Sequence, residues 1–319
     1  MLSIWSKFLI HSLGLFFFGY FSSRYAVIIA KRSRISEGFM GVFFLAIATS
    51  APEIITSGVA VGGRFFDLAI GDICGSLLVN LFILIALNLF IRKSFLKKEF
   101  LSGNLFLVFL LQFILLAAIF MRSSFNFKMG FLNFGFENFL IIFLYFLFLK
   151  RENSLAQKHN ASISRRRVKS VRQVSLWAAF IFSLAAIAFF GRLIVSDAKV
   201  IVERSSLNYV FFGTLFLGFV TSLPELVVTI SAVFNKSYAM AVGNILGSNA
   251  LDVAIVPILD IITRNAPVLS MVSASQIVSI CFLELVVVLL FGLVRVKRRV
   301  RLYELLLLLL LAVPLLIIF

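Results

Sequence analysis

The stretch TSAPEIITSGVAVGGRFFDLAIGDICGSLLVNLFIL at residues 49–84 returns 172 positions later, at 221–256, as TSLPELVVTISAVFNKSYAMAVGNILGSNALDVAIV. The two align without a gap, and 12 of 36 positions are identical. Among them are TSAPE (49–53) against TSLPE (221–225), Gly71 against Gly243, and Gly75-Ser76 against Gly247-Ser248. Self-similarity at one fixed offset marks a duplicated architecture and is read before any single element. The same offset lays Phe17-Phe18-Gly19 on Phe189-Phe190-Gly191, so the duplication reaches well outside the motif.

Working outward, long apolar runs alternate with short polar clusters. Over 319 residues, 61% are hydrophobic and 14% charged, with a mean hydropathy of +1.09. A soluble domain has about 45–50% and 25%, so the composition is that of a polytopic membrane protein. A hydrocarbon core of about 30 Å takes about 20 helical residues. Ten runs meet that requirement, near 8–29, 37–60, 68–90, 102–121, 131–149, 174–195, 208–233, 239–262, 271–294 and 302–319. Uninterrupted apolar runs lack the period-two alternation of a barrel. The expected fold is therefore an all-α membrane protein of ten transmembrane helices in two five-helix repeats, residues 1–149 and 173–319, joined by a basic linker at 150–172. Five crossings is an odd number, so the second repeat enters from the opposite side and the repeats are inverted. That is the plan of many secondary transporters, which bind substrate near the midplane between repeats on broken helices.

The formal charge is +16. Lys and Arg sit in short clusters between spans, where they set topology, so nucleic-acid binding is excluded as the reading of that charge. Threading the spans puts 21 of the 30 basic residues on one face: Lys31, Arg32, Arg34, Arg92, Lys93, Lys97, Lys98, the 150–172 segment, Lys236 and Arg295 through Arg301. By the positive-inside rule that face is cytoplasmic and both termini lie outside, in a plasma or inner membrane. The 150–172 segment reads as a solvated linker, with attraction to anionic lipid, about 1 kcal/mol per basic residue, as a sharper alternative. The first span has no basic stretch ahead of it and no small-residue cleavage site after it, and reads as a retained helix. Cys74 and Cys281 fall in apolar segments and read as small core residues rather than a disulfide framework. Nothing points to an obligate protein partner or a cofactor.

Glu53, Asp72, Glu225 and Asp252 lie inside apolar spans, where a carboxylate costs at least about 2.5–3.5 kcal/mol. The basic residues of these four helices, Arg64, Arg92 and Lys236, are at loops or ends, so a bound cation is the natural counter-charge. Residues four apart share a helix face, which stacks Thr49, Glu53 and Ser57, and again Thr221, Glu225 and Thr229. Asp72, Ser76 and Asn80 form a third column, and Asn244, Ser248 and Asp252 a fourth. Pro52 and Pro224 lack an N–H, which frees the carbonyls of Ala48 and Val220 and bends the chain. Carboxylates, carbonyls and amide oxygens are what calcium takes, six to eight at about 2.3–2.6 Å. Zinc or copper is poorly served, since Cys74 is a lone thiol here and His11 and His159 are elsewhere. A single Thr/Ser-x-Pro kink is ordinary in a membrane helix, and small residues four apart commonly serve close packing. Neither accounts for an acid directly after each proline in two copies. Asp260 and Glu284 fall outside the columns and are assigned no role.

The paired TSxPE segments with downstream GxxxGS elements, inverted across ten helices, resemble the alpha repeats of the cation/calcium exchanger superfamily, especially its sodium/calcium exchangers. The corresponding motifs here are 41–84 and 213–256. The resemblance implies an antiporter, not an enzyme, with calcium and sodium as transported substrates. It further implies that Glu53 and Glu225 are the central calcium ligands and also serve sodium. Thr49, Ser50, Thr221, Ser222, Ser76 and Ser248 would supply oxygens for sodium, and Asn80 and Asp252 would complete the site. The first and sixth helices would slide across the remaining bundle to alternate access.

Three departures bear on ion choice. Ala48 and Val220 stand where the family usually has Gly before the TS pair. The first GNxxGSN element reads GDICGSL, with Asp72 and Leu77 for its two Asn, whereas GNILGSN at 243–249 is intact. Asp72 is thus an additional candidate for binding a cation or a proton. Proton-coupled members typically carry an acid where Gly75 and Gly247 stand, which favours sodium as the driving ion over proton or potassium. A passive cation channel and an intramembrane carboxylate enzyme are the alternatives; inverted halves argue against a channel ring, and no nucleophile elbow or phosphate loop supports an enzyme.

Overall fold

The computed structural model describes residues 2–32, 40–90, 104–125, 130–131, 134–159, 173–263 and 266–295. Helix α1 covers Leu2–Arg32. The next span is in pieces: a π-helical turn Met40–Leu45, α2 Ala46–Thr49 and α3 Ala51–Gly62. Helices α4 (Phe66–Phe90) and α5 (Asn104–Phe125) follow. A small antiparallel hairpin, β1 Gly130–Phe131 with β2 Phe134–Gly135, then leads into α6, Phe136–His159. In the second half come α7 (Gln173–Arg204), α8 (Tyr209–Phe211), a π-helical turn Phe212–Leu217, α9 (Gly218–Thr221) and α10 (Leu223–Phe234). Helix α11 (Tyr238–Thr263), a 3-10 turn Val268–Ser270 and α12 (Ser275–Arg295) complete the described chain.

The breaks fall at Ser50 (φ −79°, ψ 8°) and Ser222 (φ −83°, ψ 3°), and the helix axes bend there by 48° and 42°. Pro52 and Pro224 sit in the first turn of the helices that follow, where a missing N–H costs nothing, while the turn before them cannot continue. Backbone detail repeats at the 172-residue offset seen in the sequence. The π turns at 40–45 and 212–217, the breaks, and, among the described residues, the two non-glycine residues with positive φ, Arg64 (65°) and Lys236 (58°), all coincide.

Helices α4 and α11 form the centre, with 89% and 78% of their apolar spans buried, against 22% and 28% for those of α1 and α7. The outer helices turn large apolar side chains outward: Leu9, Ile10, Leu13 and Phe17 on α1, Phe106, Phe113 and Phe120 on α5, and Phe139, Phe143 and Phe146 on α6. Polar side chains gather inside. An apolar exterior around a polar interior is the surface of an integral membrane protein. His11 meets Asp197, Gly14 faces Phe190, and Phe18 meets Phe182, in descending order, so α1 and α7 run antiparallel.

Of the ten expected spans, four coincide with single helices long and apolar enough to cross, Ser3–Ser22, Phe66–Leu87, Val174–Arg204 and Met240–Thr263, and two with the bent pairs. Phe106–Arg122 and Ser275–Leu285 are shorter apolar helices at the fourth and ninth. The fifth span, expected from 131, begins instead at Phe136, because the hairpin occupies the residues before it. Asp260 fixes that hairpin: its carboxylate accepts from Gly135 N (3.1 Å), Asn138 Nδ2 (2.6 Å) and Val268 N (2.6 Å). Helix α6 then runs on through Lys150–His159, the first part of the stretch read as the linker. The 302–319 span and residues 160–172 lie outside the described residues. Cys74 is buried, but Cys281 is exposed, on the same outward face of α12 as Leu285 and Val288, and is not a core residue.

Each half docks on the other through a glycine. A methyl added at Gly75 of α4 would strike the Thr214 carbonyl in the second π turn, and one added at Gly247 of α11 would strike Val42 in the first. The obstacle is backbone, so neither side can rotate away. Gly75→Ala and Gly247→Ala are each expected to destabilise the fold by about 1–3 kcal/mol, read as a lowered midpoint in thermal unfolding of the detergent-purified protein; an unchanged midpoint would contradict the docking.

Candidate cation site at the broken helices

Seven of the ten residues singled out in the sequence gather in one buried centre, as two hydrogen-bonded sets built around the two glutamates. Ser222 and Ser76 both donate to Glu53 Oε1, at 3.3 and 3.2 Å. Ser50 and Ser248 both donate to Glu225 Oε1, at 3.2 and 3.4 Å. Each glutamate thus takes one hydroxyl from its own half and one from the other, and the two sets are exchanged by the 172-residue offset. Ser76 also lies 2.8 Å from Asp252 Oδ2, so one hydroxyl stands between two carboxylates. All seven side chains are fully buried.

The breaks make this possible. In an unbroken helix Thr49 and Glu53 would share one face, with Ser50 about 100° round from it. Ending α2 at Ser50 and restarting at Ala51 aims Ser50 at the opposite half's glutamate while Glu53 meets Ser76 and Ser222. The break separates Thr49 from the expected column, whereas Glu53 and Ser57 stay on one face of α3: Glu53 meets Ser76 of α4, and Ser57 meets the same helix one turn away, donating to the Ala69 carbonyl (3.2 Å) and Asp72 (3.2 Å).

Two outer layers flank the centre. In one, Thr49 lies 3.2 Å from Ser248 and 3.4 Å from Asn244 Oδ1, and Asn244 donates to Thr229 at 3.0 Å. In the other, Thr221 donates to Asp72 at 2.9 Å, and Asp72 also accepts from Ser57 and Thr56. Asn80, one turn beyond Ser76 on α4, is fully buried with neither amide atom hydrogen-bonded.

The electrostatics of the centre are unbalanced. Glu53 Oε2, Glu225 Oε2 and Asp252 Oδ1 are buried without a donor. The ion pairs among the described residues lie elsewhere: His11 with Asp197, Arg122 with Glu137, and Lys199 with Glu203. Buried carboxylate oxygens with no donor are costly and call for a positive partner. Among the described residues no group of three or more His, Cys, Asp or Glu is placed to hold a metal by itself. A cation here would therefore draw on the hydroxyl and amide oxygens as well as the acids, a donor set of hard oxygens.

Sequence reasoning missed several participants. Ser22 of α1 donates to the Ala48 carbonyl at 3.1 Å, so this carbonyl, freed by Pro52, is already capped. Thr56, three residues after Glu53, falls outside the four-apart columns, yet it donates to Asp72. A methyl on Gly19 would lie 2.6 Å from Pro224, which places α1 directly over the second break. The Phe17-Phe18-Gly19 repeat held that signal. Glu284, assigned no role, is buried on α12 with both oxygens lacking a donor, and is not part of the network.

Comparison with known proteins places this geometry. The family model described as "Sodium/calcium exchanger protein" matches residues 4–150 and 175–319. The chain is 27% identical over 232 residues to the putative antiporter CaxA of Alkalimonas amylolytica, covering 70% of each chain. It is 25% identical over 263 residues to the sodium/calcium exchanger MaX1 of Methanosarcina acetivorans, covering 72% of this chain and 74% of that one. Among solved structures, the sodium-calcium exchanger NCX_Mj superposes with a TM-score of 0.60 at 22% identity, covering 97% of this chain and 96% of that one, which speaks to the fold alone. These relatives are transporters, which sets the enzyme alternative aside. The chain is an integral membrane protein and a member of the sodium/calcium exchanger family.

Proposed function

We propose that this protein is a secondary active antiporter that exchanges sodium for calcium by alternating access, binding both at one site between two inverted repeats. The observation that carries the proposal is the pair of glutamates, Glu53 and Glu225, each with Oε1 occupied by hydroxyls from both halves and Oε2 left without a donor. Asp252 adds a third free carboxylate oxygen and Asn80 a buried amide, so calcium finds at least two carboxylates with neutral oxygens around them. Sodium, with half the charge, replaces calcium only when several ions share the same oxygens. Competition for one set of ligands then supplies the coupling, since neither an empty nor a half-filled set balances the acids. Thr49, Ser50, Ser76, Thr221, Ser222 and Ser248 are the neutral ligands in this reading. The resemblance to named exchangers favours sodium as the counter-ion, and the antiparallel packing of α1 against α7 is what inverted halves require.

In this reading α1 and α7 are the moving pair: their spans are far less buried than those of α4 and α11, and α1 lies across the prolines of both breaks while α7 meets Ile55 and Thr56 of α3. The basic face of the chain is cytoplasmic, with the 150–172 segment there between the repeats.

Reconstituted in liposomes loaded with sodium, the protein is expected to accumulate radioactive calcium when external sodium is low, and not when sodium is equal on both sides. Uptake that follows a proton gradient instead would replace the counter-ion, and uptake under every condition would mean a channel. Glu53→Gln and Glu225→Gln should each reduce sodium-dependent uptake at least about a hundredfold, the cost of removing one partner from a buried charged cluster; residual flux near wild type would dismiss the ligand assignment. Ser50→Ala and Ser222→Ala, which remove equivalent hydroxyls from opposite halves, should raise the half-saturating calcium concentration by similar factors, about three- to tenfold each. A large effect of one and none of the other would contradict the reciprocal geometry.

A further inference from the structure

The 172-residue offset relates a second set of polar residues, away from the broken helices. It lays LLQFILL at 110–116 on FLELVVV at 282–288, so that Gln112 of α5 corresponds to Glu284 of α12. Both fall near the middle of their apolar runs, 102–121 and 271–294. Gln112 is fully buried and Glu284 is 7% exposed. Neither amide atom of Gln112 and neither carboxyl oxygen of Glu284 has a hydrogen-bond partner among the described residues. Helices α5 and α12 pack against each other. Equivalent positions on two touching helices therefore carry buried polar groups that the protein itself does not satisfy.

The charged and titratable groups of the neighbouring helices do not neutralise Glu284. On α5, Arg122 lies near the far end and holds Glu137 through two hydrogen bonds, at 3.0 and 2.9 Å. Helix α4, which also packs against α12, brings acids. Asp67 accepts from Ser273 at 2.7 Å, beside the start of α12, and Asp72 accepts from Thr221 at 2.9 Å. Cys281, one turn before Glu284 on α12 itself, is exposed on the outward face. A lone carboxylate in hydrocarbon is costly unless one positive charge accompanies it. Two forms meet that condition: the acid with its proton, and the carboxylate with one monovalent cation. A divalent ion would leave a surplus charge, and calcium calls on six to eight oxygens. A proton needs the carboxyl alone, whereas a metal ion needs further oxygens, which is what the Gln112 amide offers.

We infer that Gln112 and Glu284 form a second cation site, between α5 and α12, at which one sodium or potassium ion exchanges with a proton. Glu284 shares no hydrogen bond with the sets around Glu53 and Glu225, and the inference does not rest on the exchanger reading. Both occupied forms are neutral, so the site changes its occupant without burying a net charge.

The test labels the detergent-purified full chain with dicyclohexylcarbodiimide, an apolar reagent for carboxyl groups in a membrane interior, and reads the product at Glu284 by peptide mass. The protonated carboxyl adds across a C=N bond of the reagent: its oxygen bonds to carbon, its proton goes to nitrogen, and acyl migration leaves a stable N-acylurea. A bound metal ion displaces that proton and blocks the reaction. With choline as the inert cation Glu284 is expected to label, and saturating sodium or potassium should slow the labelling at least about tenfold. The half-protecting concentration should rise about tenfold for each unit by which the pH falls, since ion and proton compete for the same oxygens. Labelling that neither ion slows would make Glu284 a permanently protonated packing residue and overturn the inference, as would no labelling in choline. The double variant Gln112→Glu/Glu284→Gln exchanges the two positions and should carry the label at position 112, protected by the same ion. Label there without protection overturns the shared site. If that variant cannot be purified folded, Gln112→Leu decides: loss of the amide oxygen should raise the half-protecting concentration about tenfold, and no change overturns the inference. Glu284→Gln should leave calcium binding at the Glu53 and Glu225 centre unchanged, and calcium binding lost in that variant would merge the two sites and overturn it.

Discussion

Everything central in this molecule follows from placing three carboxylates, Glu53, Glu225 and Asp252, in a fully buried centre with no cationic side chain among their described partners. Hydroxyls satisfy one oxygen of each acid and leave the other buried without a donor, which is where the proposed cation binds. The requirement for many hydroxyls at one depth in turn demands broken helices, because a continuous helix presents a polar side chain to one direction only once per turn.

Duplication is how so many hydroxyls come to one place. Ser50 serves Glu225 and Ser222 serves Glu53, so each half completes the other's glutamate and neither half holds a finished site. The same exchange governs the packing, where Gly75 admits the second π turn and Gly247 the first. Chemistry and close packing thus share one pseudo-symmetry, and a shift of one half against the other disturbs both.

Much of this was legible in the sequence. The repeat, the prolines and the acids directly after them are local signals at fixed spacing, and the structure brings Ser50, Glu53, Ser76, Ser222, Glu225, Ser248 and Asp252 into two hydrogen-bonded sets at one buried centre. What was not legible is set by direction rather than identity. Helical periodicity stacks Ser57 on Glu53, and the structure keeps both on the α4 side of α3, but α4 offers Asp72 to Ser57 and Ser76 to Glu53, so Ser57 is not a partner of the glutamate. Hydropathy marked a span from 131, yet Asp260, distant by more than a hundred residues, draws Gly135 into a hairpin. His11 and Asp197 are unremarkable singly, and only the antiparallel packing of α1 and α7 makes them a pair at 2.6 Å. Cys281 looked internal because it is surrounded by apolar sequence, and in a membrane protein that is equally the signature of the outside.

The π turns explain a property of the sequence itself. A π turn takes one residue more than the α-helical turn it replaces, so the side chains before and after it are out of step by about 100° relative to a continuous α-helix. Here residues within the turns, Val42 and Thr214, seat against Gly247 and Gly75, and those after them, Ser50 and Ser222, address the glutamates. Losing or gaining one residue between them would turn the hydroxyl away while the packing contact stayed put. Length in this segment is therefore held as tightly as composition, and two copies that diverged freely elsewhere can still be laid over one another without a gap.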